Sequence, residues 1–206
     1  MTNETVGFSI EKINPDYPGL ERIIFFSDAV FAIAITLLAL DIRIPSTETS
    51  LTENGLIQTL FSIWPRYLGY AIGFMTIGIL WMGHHRKFRL IQRYDRNLMW
   101  FNLFFLMFVA FIPFSTSIIS EFGNRTSTVF YAIIVSLASI TSMILWRYAS
   151  HNGRLTTLDL DAGQIRRETQ TSIAVLGIFV LSIGLAFVNA DLAKFSWILL
   201  AFTVRR

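Results

Sequence analysis

Cysteine is absent from all 206 residues, so there is no disulfide framework and no cysteine-ligated metal site, and the redox compartment is left unmarked. Charge is scarce too. Asp, Glu, Lys and Arg together make up 15% of the chain, against about 25% in a typical soluble domain. Long polar linkers are also missing: no Pro/Ser/Gly-rich stretch or soluble module divides the sequence, and no internal repeat is evident, so 1–206 reads as one domain. What is abundant is apolar surface, with 53% hydrophobic and 15% aromatic residues. A chain so poor in charge and so rich in apolar side chains is a membrane protein.

The apolar residues fall in blocks of about twenty, the length a helix needs to cross the ~30 Å hydrocarbon core. Six spans are expected, near 22–44, 57–83, 98–119, 126–149, 170–190 and 192–204, the last being short for a full crossing. Barrel strands would alternate apolar and polar residues over about ten positions. Runs such as FFLMFVAFIPF at 104–114 are apolar on every side instead, so the fold class is all-α. The first residues lack a basic start followed by an apolar run and a small-residue cleavage site, so no signal peptide is expected and the first helix acts as its own insertion signal.

Basic residues near span ends set orientation. Of the 17 Lys and Arg, one side would hold Lys12, Arg22, Arg86, Lys87, Arg89, Arg93, Arg96, Arg147, Arg154, Arg166, Arg167, Arg205 and Arg206. Arg43, Arg66, Arg125 and Lys194 would lie on the other. Both termini are therefore expected in the cytoplasm, which requires an even number of spans. The net charge of +3 reflects this loop bias, and with no nucleic-acid motif present no nucleic-acid partner is expected.

The longest polar connector, 151–169, holds Thr157, Asp159 and Asp161. EF-hand spacing and its closing Glu are missing, so it reads as an ordinary connector, with Asp161 a candidate cap for the fifth helix. Pro65 and Pro113 lie inside apolar spans and each removes a backbone donor, so a kink or local opening is expected at both. Gly69 and Gly73 form a GxxxG pair, which permits close approach of another helix.

The first span, RIIFFSDAVFAIAITLLAL from Arg22 to Leu40, carries Arg22, Ser27 and Asp28 at or near membrane depth. Such groups are costly in lipid and face protein or water. At 100° per residue Leu37 and Leu40 fall within about 40° of Ile33, with Thr36 at roughly 60° on the edge of that arc. Asp28 lies roughly 140° from Ile33, and Ser27 roughly 120° away on the other flank. Asp28 is thus expected to face a neighbouring helix. Arg22 is about 9 Å along the axis from Asp28 and on another side, so the partner of Asp28 must come from elsewhere. Donors near the same level are Trp81, His84 and His85. Trp81 and His85 are four apart and share a face, which makes either one the expected partner in a buried network. The adjacent histidines do not share a helical face and no HExxH motif accompanies them, so no metal site is expected. No nucleophile and base can be assembled around Asp28, so no enzyme is expected either.

RIIFFSD (Arg22 to Asp28) resembles the RxxxFSD signature of the lysosomal potassium channel family, the transmembrane protein 175 family. FAIAITLLALDIRIP after it is similar to the first helix of the single-repeat bacterial and archaeal members. WxxHHR at Trp81 to Arg86 and FVAFIPFSTSI at Phe108 to Ile118 extend the resemblance over three spans. It implies a homotetramer of six-span subunits in a prokaryotic plasma membrane, with first helices lining a central pore and no cofactor. It implies that Arg22, Phe26, Ser27 and Asp28 hold the first helix against the second span through residues such as Trp81 and His85. It also implies a hydrophobic constriction at Ile33, with Leu37 and Leu40 along the same face and Thr36 as a candidate polar ring. Permeant ions would be K+, Rb+ and Cs+, with modest preference over Na+. A TVGYG filter is absent, so a ring of Ile33 would gate by excluding water. The competing class is a proton-coupled or other secondary transporter, since intramembrane carboxylate and His groups can relay protons; the lack of an inverted repeat argues against it.

Overall fold

Local signals in the sequence start and stop each helix, and they explain the architecture in chain order. The computed structural model describes residues 17–44, 52–156 and 160–200. Within these lie α1 (Tyr17–Leu40), α2 (Glu53–Ser62), α3 (Trp64–Leu90), α4 (Arg96–Phe122), α5 (Arg125–Ser150), α6 (Ala162–Ala186) and α7 (Ala190–Ser196), the last followed by a 3-10 turn at Trp197–Leu199. Asp95 caps α4 by accepting the Leu98 N–H at 2.8 Å. Gly123, at φ 59°, closes α4 by donating to the Ile119 carbonyl, and Asn124 at once caps α5 by accepting from Ser127 N at 3.0 Å. Glycine alone takes that left-handed angle without strain, so α4 and α5 fold back on each other through a two-residue turn. Asp161 does stand at the start of α6, but its carbonyl, not its carboxylate, takes the first helical N–H groups.

The expected span at 57–83 is divided. Thr52 caps α2 through the Gly55 N–H, the helix ends at Ile63, and Pro65 occupies the first turn of α3. Proline is tolerated there because its missing N–H would have no intrahelical acceptor. The expected opening at Pro65 is therefore a helix start. α3 then runs 27 residues to Leu90, so the HHRKF segment is helical. Pro113, by contrast, sits inside α4 without ending it.

Four helical stretches are long and apolar enough to cross a membrane: Gly19–Leu40, Arg96–Phe122, Arg125–Gly153 and Ala162–Ala186. α3 has the length for a crossing, about 40 Å at 1.5 Å per residue, but carries Arg66, His84, His85, Arg86, Lys87 and Arg89. The chain is thus a helical, multi-pass membrane protein. Of the expected sixth span, 192–196 fall in α7 and 197–199 in the turn after it; 201–204 lie outside the described residues, as do Lys12, Thr157, Asp159, Arg205 and Arg206.

Phe105, Val109 and Ile112 of α4, Tyr131 and Val135 of α5 and Phe179 of α6 form the buried core, which Phe31, Ala34 and Leu38 of α1 join. Trp197 packs into it 4.8 Å from the Tyr131 ring. The glycine pair brings α3 against two neighbours of the same chain. A Cβ at Gly69 would lie 1.8 Å from Ser120 Oγ, and one at Gly73 would lie 2.9 Å from Leu38 Cδ2 and 3.0 Å from Thr116 Oγ1. One end of the bundle, here the basic end, is tied by Arg86 Nε to Glu168 at 3.0 Å, Lys87 Nζ to Ser142 Oγ at 2.7 Å, and Gln92 N to the Leu155 carbonyl at 2.8 Å.

Candidate functional site

α1 is built from two opposed faces. Leu20, Ser27, Phe31, Ala34 and Leu38 are buried, while Ile33 is 58% exposed, Leu37 43% and Leu40 67%. Thr36 is exposed on the same side, its hydroxyl donating to the Ile33 carbonyl at 2.9 Å. The hydroxyl hydrogen is therefore held by the backbone, and the oxygen lone pairs are left for whatever passes the face.

The polar groups turn the other way. Trp81 Nε1 of α3 donates to Asp28 Oδ1 at 2.8 Å, and His85 stacks on the Trp81 ring with centroids 5.5 Å apart. Ser27 is joined to α4, not α3: Asn102 Nδ2 donates to Ser27 Oγ at 2.9 Å, and Ser27 Oγ donates to the Ile23 carbonyl at 2.8 Å. His84 Nε2 lies 3.0 Å from Asn102 Oδ1. A carbonyl oxygen only accepts, so His84 Nε2 carries the hydrogen. The result is a one-way series, His84 to Asn102 to Ser27 to Ile23, with each hydrogen used once. His84 is itself buried, stacked on Phe88 at 4.2 Å and Phe105 at 5.5 Å.

Asp28 is thus brought together with Trp81 and His85, and Ser27 separately with Asn102 and His84, while Arg22 and Phe26 belong to neither set. Eleven residues separate Arg22 from Ile33, which returns to within about 20° of the same direction. Both Arg22 and Phe26 lie on the exposed face, and Arg22 has no polar partner among the described residues. Arg22 and Phe26 instead border a cavity of about 400 Å³ shared with Tyr94, Met99, Asn102 and Leu103. Sequence reasoning missed Asn102 and chose His85 over His84. The available signal was the lone amide in LMWFNLFFLMFVAF, a polar group that an apolar helix keeps only with a buried partner.

Over 177 residues the chain is 36% identical to a potassium channel of Streptomyces collinus, covering 83% of this chain and 84% of that one. This chain belongs to the TMEM175 family. The family's model, described as endosomal/lysosomal potassium channel TMEM175, matches residues 22–113, from the arginine of α1 to the proline of α4. A potassium channel of Chamaesiphon minutus is 34% identical over 183 residues, covering 87% of this chain and 90% of that one. The crystal structure of a lysosomal potassium-selective channel TMEM175 homolog from the same organism superposes with a TM-score of 0.81 at 31% identity, over 92% of this chain and 98% of that one. The TMEM175 family and these bacterial relatives are channels, not enzymes.

Proposed function

We propose that the chain is a potassium-permeable cation channel of a prokaryotic plasma membrane, working as a homotetramer of single-domain, six-span subunits with both termini in the cytoplasm. The observation that carries this is the division of α1. Ser27 and Asp28 bond to α4 and α3 of the same subunit, while Ile33, Leu37 and Leu40 form an apolar stripe that the described residues leave exposed. The bacterial relatives named as potassium channels match this chain along most of its length. In a ring of α1 helices Ile33 is the constriction, Leu37 and Leu40 continue the wall, and Thr36 offers oxygen to a partly dehydrated ion. Aliphatic side chains supply no ligand, so closure works by expelling water and opening by widening the ring. Modest preference for K+, Rb+ and Cs+ over Na+ fits such a wall, because larger alkali ions shed hydration water more readily. Ser27, Asp28, Trp81, His85, His84 and Asn102 fix the rotation of α1 that points the stripe at the path.

Reversal potentials of purified protein in planar bilayers under opposed K+ and Na+ gradients test the reading. Currents reversing on the potassium side are expected, and Ile33→Asn should raise conductance while moving reversal toward zero. Absence of current above protein-free bilayers, or flux saturating with a fixed proton stoichiometry, would overturn it.

A further inference from the structure

The far end of α1 has its own fastening, separate from the network at Ser27 and Asp28. Past Leu40 the helix stops, and Asp41–Arg43 are held from other helices. Ser117 Oγ of α4 donates to Asp41 Oδ1 at 2.6 Å. The Arg66 guanidinium, in the first turn of α3, donates to the Arg43 carbonyl, and Arg43 Nε reaches the Leu40 carbonyl at 3.5 Å. The two fastenings differ in surroundings. Ser27 and Asn102 are sealed among buried side chains. Asp41, Arg43, Arg66 and Ser117 line a mostly polar, open cavity of about 290 Å³ together with Ser120 and Glu121. Water therefore competes for the far bonds and not for the buried Ser27–Asn102 bond.

Geometry makes the difference matter. Asp28 and Asp41 are 13 residues apart, about 20 Å along the helix, and Ile33, Thr36, Leu37 and Leu40 lie between them on the uncovered face. Leu38 rests on the bare backbone at Gly73, so below the clamp α1 is in close contact with α3, while Leu40 stands at the end where the far bonds act. We propose that the Asp41–Ser117 bond, with Arg66 on the Arg43 carbonyl, is a positioning clamp. It sets how far the far end of α1, and with it Leu37 and Leu40, stands from the conduction path. This rests on the channel reading above.

Ser117→Ala and Asp41→Ala remove the bond; Ser117→Thr and Asp41→Asn keep a donor and an acceptor in place. Arg66→Met tests the second bond and stands in if Asp41→Ala fails to assemble. Two readouts are used on purified tetramer: open probability with the K+/Na+ permeability ratio in bilayers, and hydrogen–deuterium exchange of residues 38–44. Removing one hydrogen bond of ordinary strength shifts a two-position equilibrium about fivefold. Ser117→Ala and Asp41→Ala should each change open probability or the permeability ratio by about that factor, with faster exchange at 38–44. The double variant should do no more than either single one, and Ser117→Thr and Asp41→Asn should behave as wild type. Faster exchange with unchanged open probability and permeability ratio would reduce the bond to a structural contact and overturn the proposal, as would additive effects in the double variant. Unaltered exchange beside normal wild-type current would overturn the clamp alone. A wild-type protein without potassium current would instead overturn the channel reading and the clamp's role with it.

Discussion

Asn102 spends one amide on two helices: its carbonyl takes the His84 hydrogen from α3 and its NH2 serves Ser27 of α1. Truncation to Ala would leave the buried His84 N–H without an acceptor, at a cost of about 1–3 kcal/mol. Asn102→Ala should therefore lower the melting temperature and tetramer yield, measured by fluorescence-detected size exclusion after heating. Asn102→Asp should do worse, because a carboxylate oxygen would face Ser27 Oγ, whose hydrogen is already given to Ile23. The Trp81–Asp28 bond was legible in the sequence, since Asp28 pointed away from Ile33 and a donor at that level stood on the second span. Asn102 was not, because a single amide in an apolar run reveals burial without naming its partner. His84 was passed over because histidines beside Arg86 and Lys87 usually stay at the interface. α3 continuing to Leu90 buries one of the pair instead. Arg22 was grouped with the network by the motif, yet its angular position, readable from the same helix, already put it on the side of Ile33.

At the scale of elements, the contact of α3 with α1 and α4 depends on two missing side chains. The atom nearest a Cβ at Gly69 is Ser120 Oγ, and at Gly73 it is Leu38 Cδ2. Gly73→Leu should separate α1 from α3 and abolish assembly on size exclusion. Gly69→Ala should be milder and should be partly rescued by Ser120→Ala, which removes the clashing oxygen while leaving a tight approach of 3.1 Å to the Ser120 Cβ. A rescue at Gly73 by the same change would mean that the two glycines do not pack as separate contacts. The GxxxG spacing announced close packing in the sequence, but it could not say that both neighbours belong to the same chain. The break before α3 was harder to read. A proline in the first turn of a helix and one in its middle look alike in an apolar run, and only the cap at Thr52 and the end at Ile63 distinguish Pro65 from Pro113.

For the whole molecule, the deciding fact is where charge gathers. Arg86, Lys87, Arg89, Arg93, Arg96, Arg147, Arg154, Arg166 and Arg167 flank two connectors far apart in sequence, α3–α4 and α5–α6. The Arg86–Glu168 pair, the Gln92–Leu155 bond and the Tyr148–Asp95 hydrogen bond draw those connectors to one end. Arg43, Arg66, Arg125 and Lys194 gather at the other, where Arg66 binds the Arg43 carbonyl and Lys194 Nζ binds the Gly123 carbonyl at 2.9 Å. Insertion keeps the more basic loops in the cytoplasm, so in the orientation proposed above the basic end, with the start of α1, faces inward and the Asp41 clamp faces out. The absence of cysteine makes this easy to test with single introduced thiols at exposed positions that leave charge unchanged. Thr126→Cys, at the far end, should react with a membrane-impermeant maleimide on intact cells. Gln92→Cys, at the basic end, should react only after permeabilisation, and the reverse pattern would invert the orientation. Inversion would also move the water-exposed clamp to the cytoplasmic mouth, so the labelling decides from which side of the membrane the far end of α1 is open to solution.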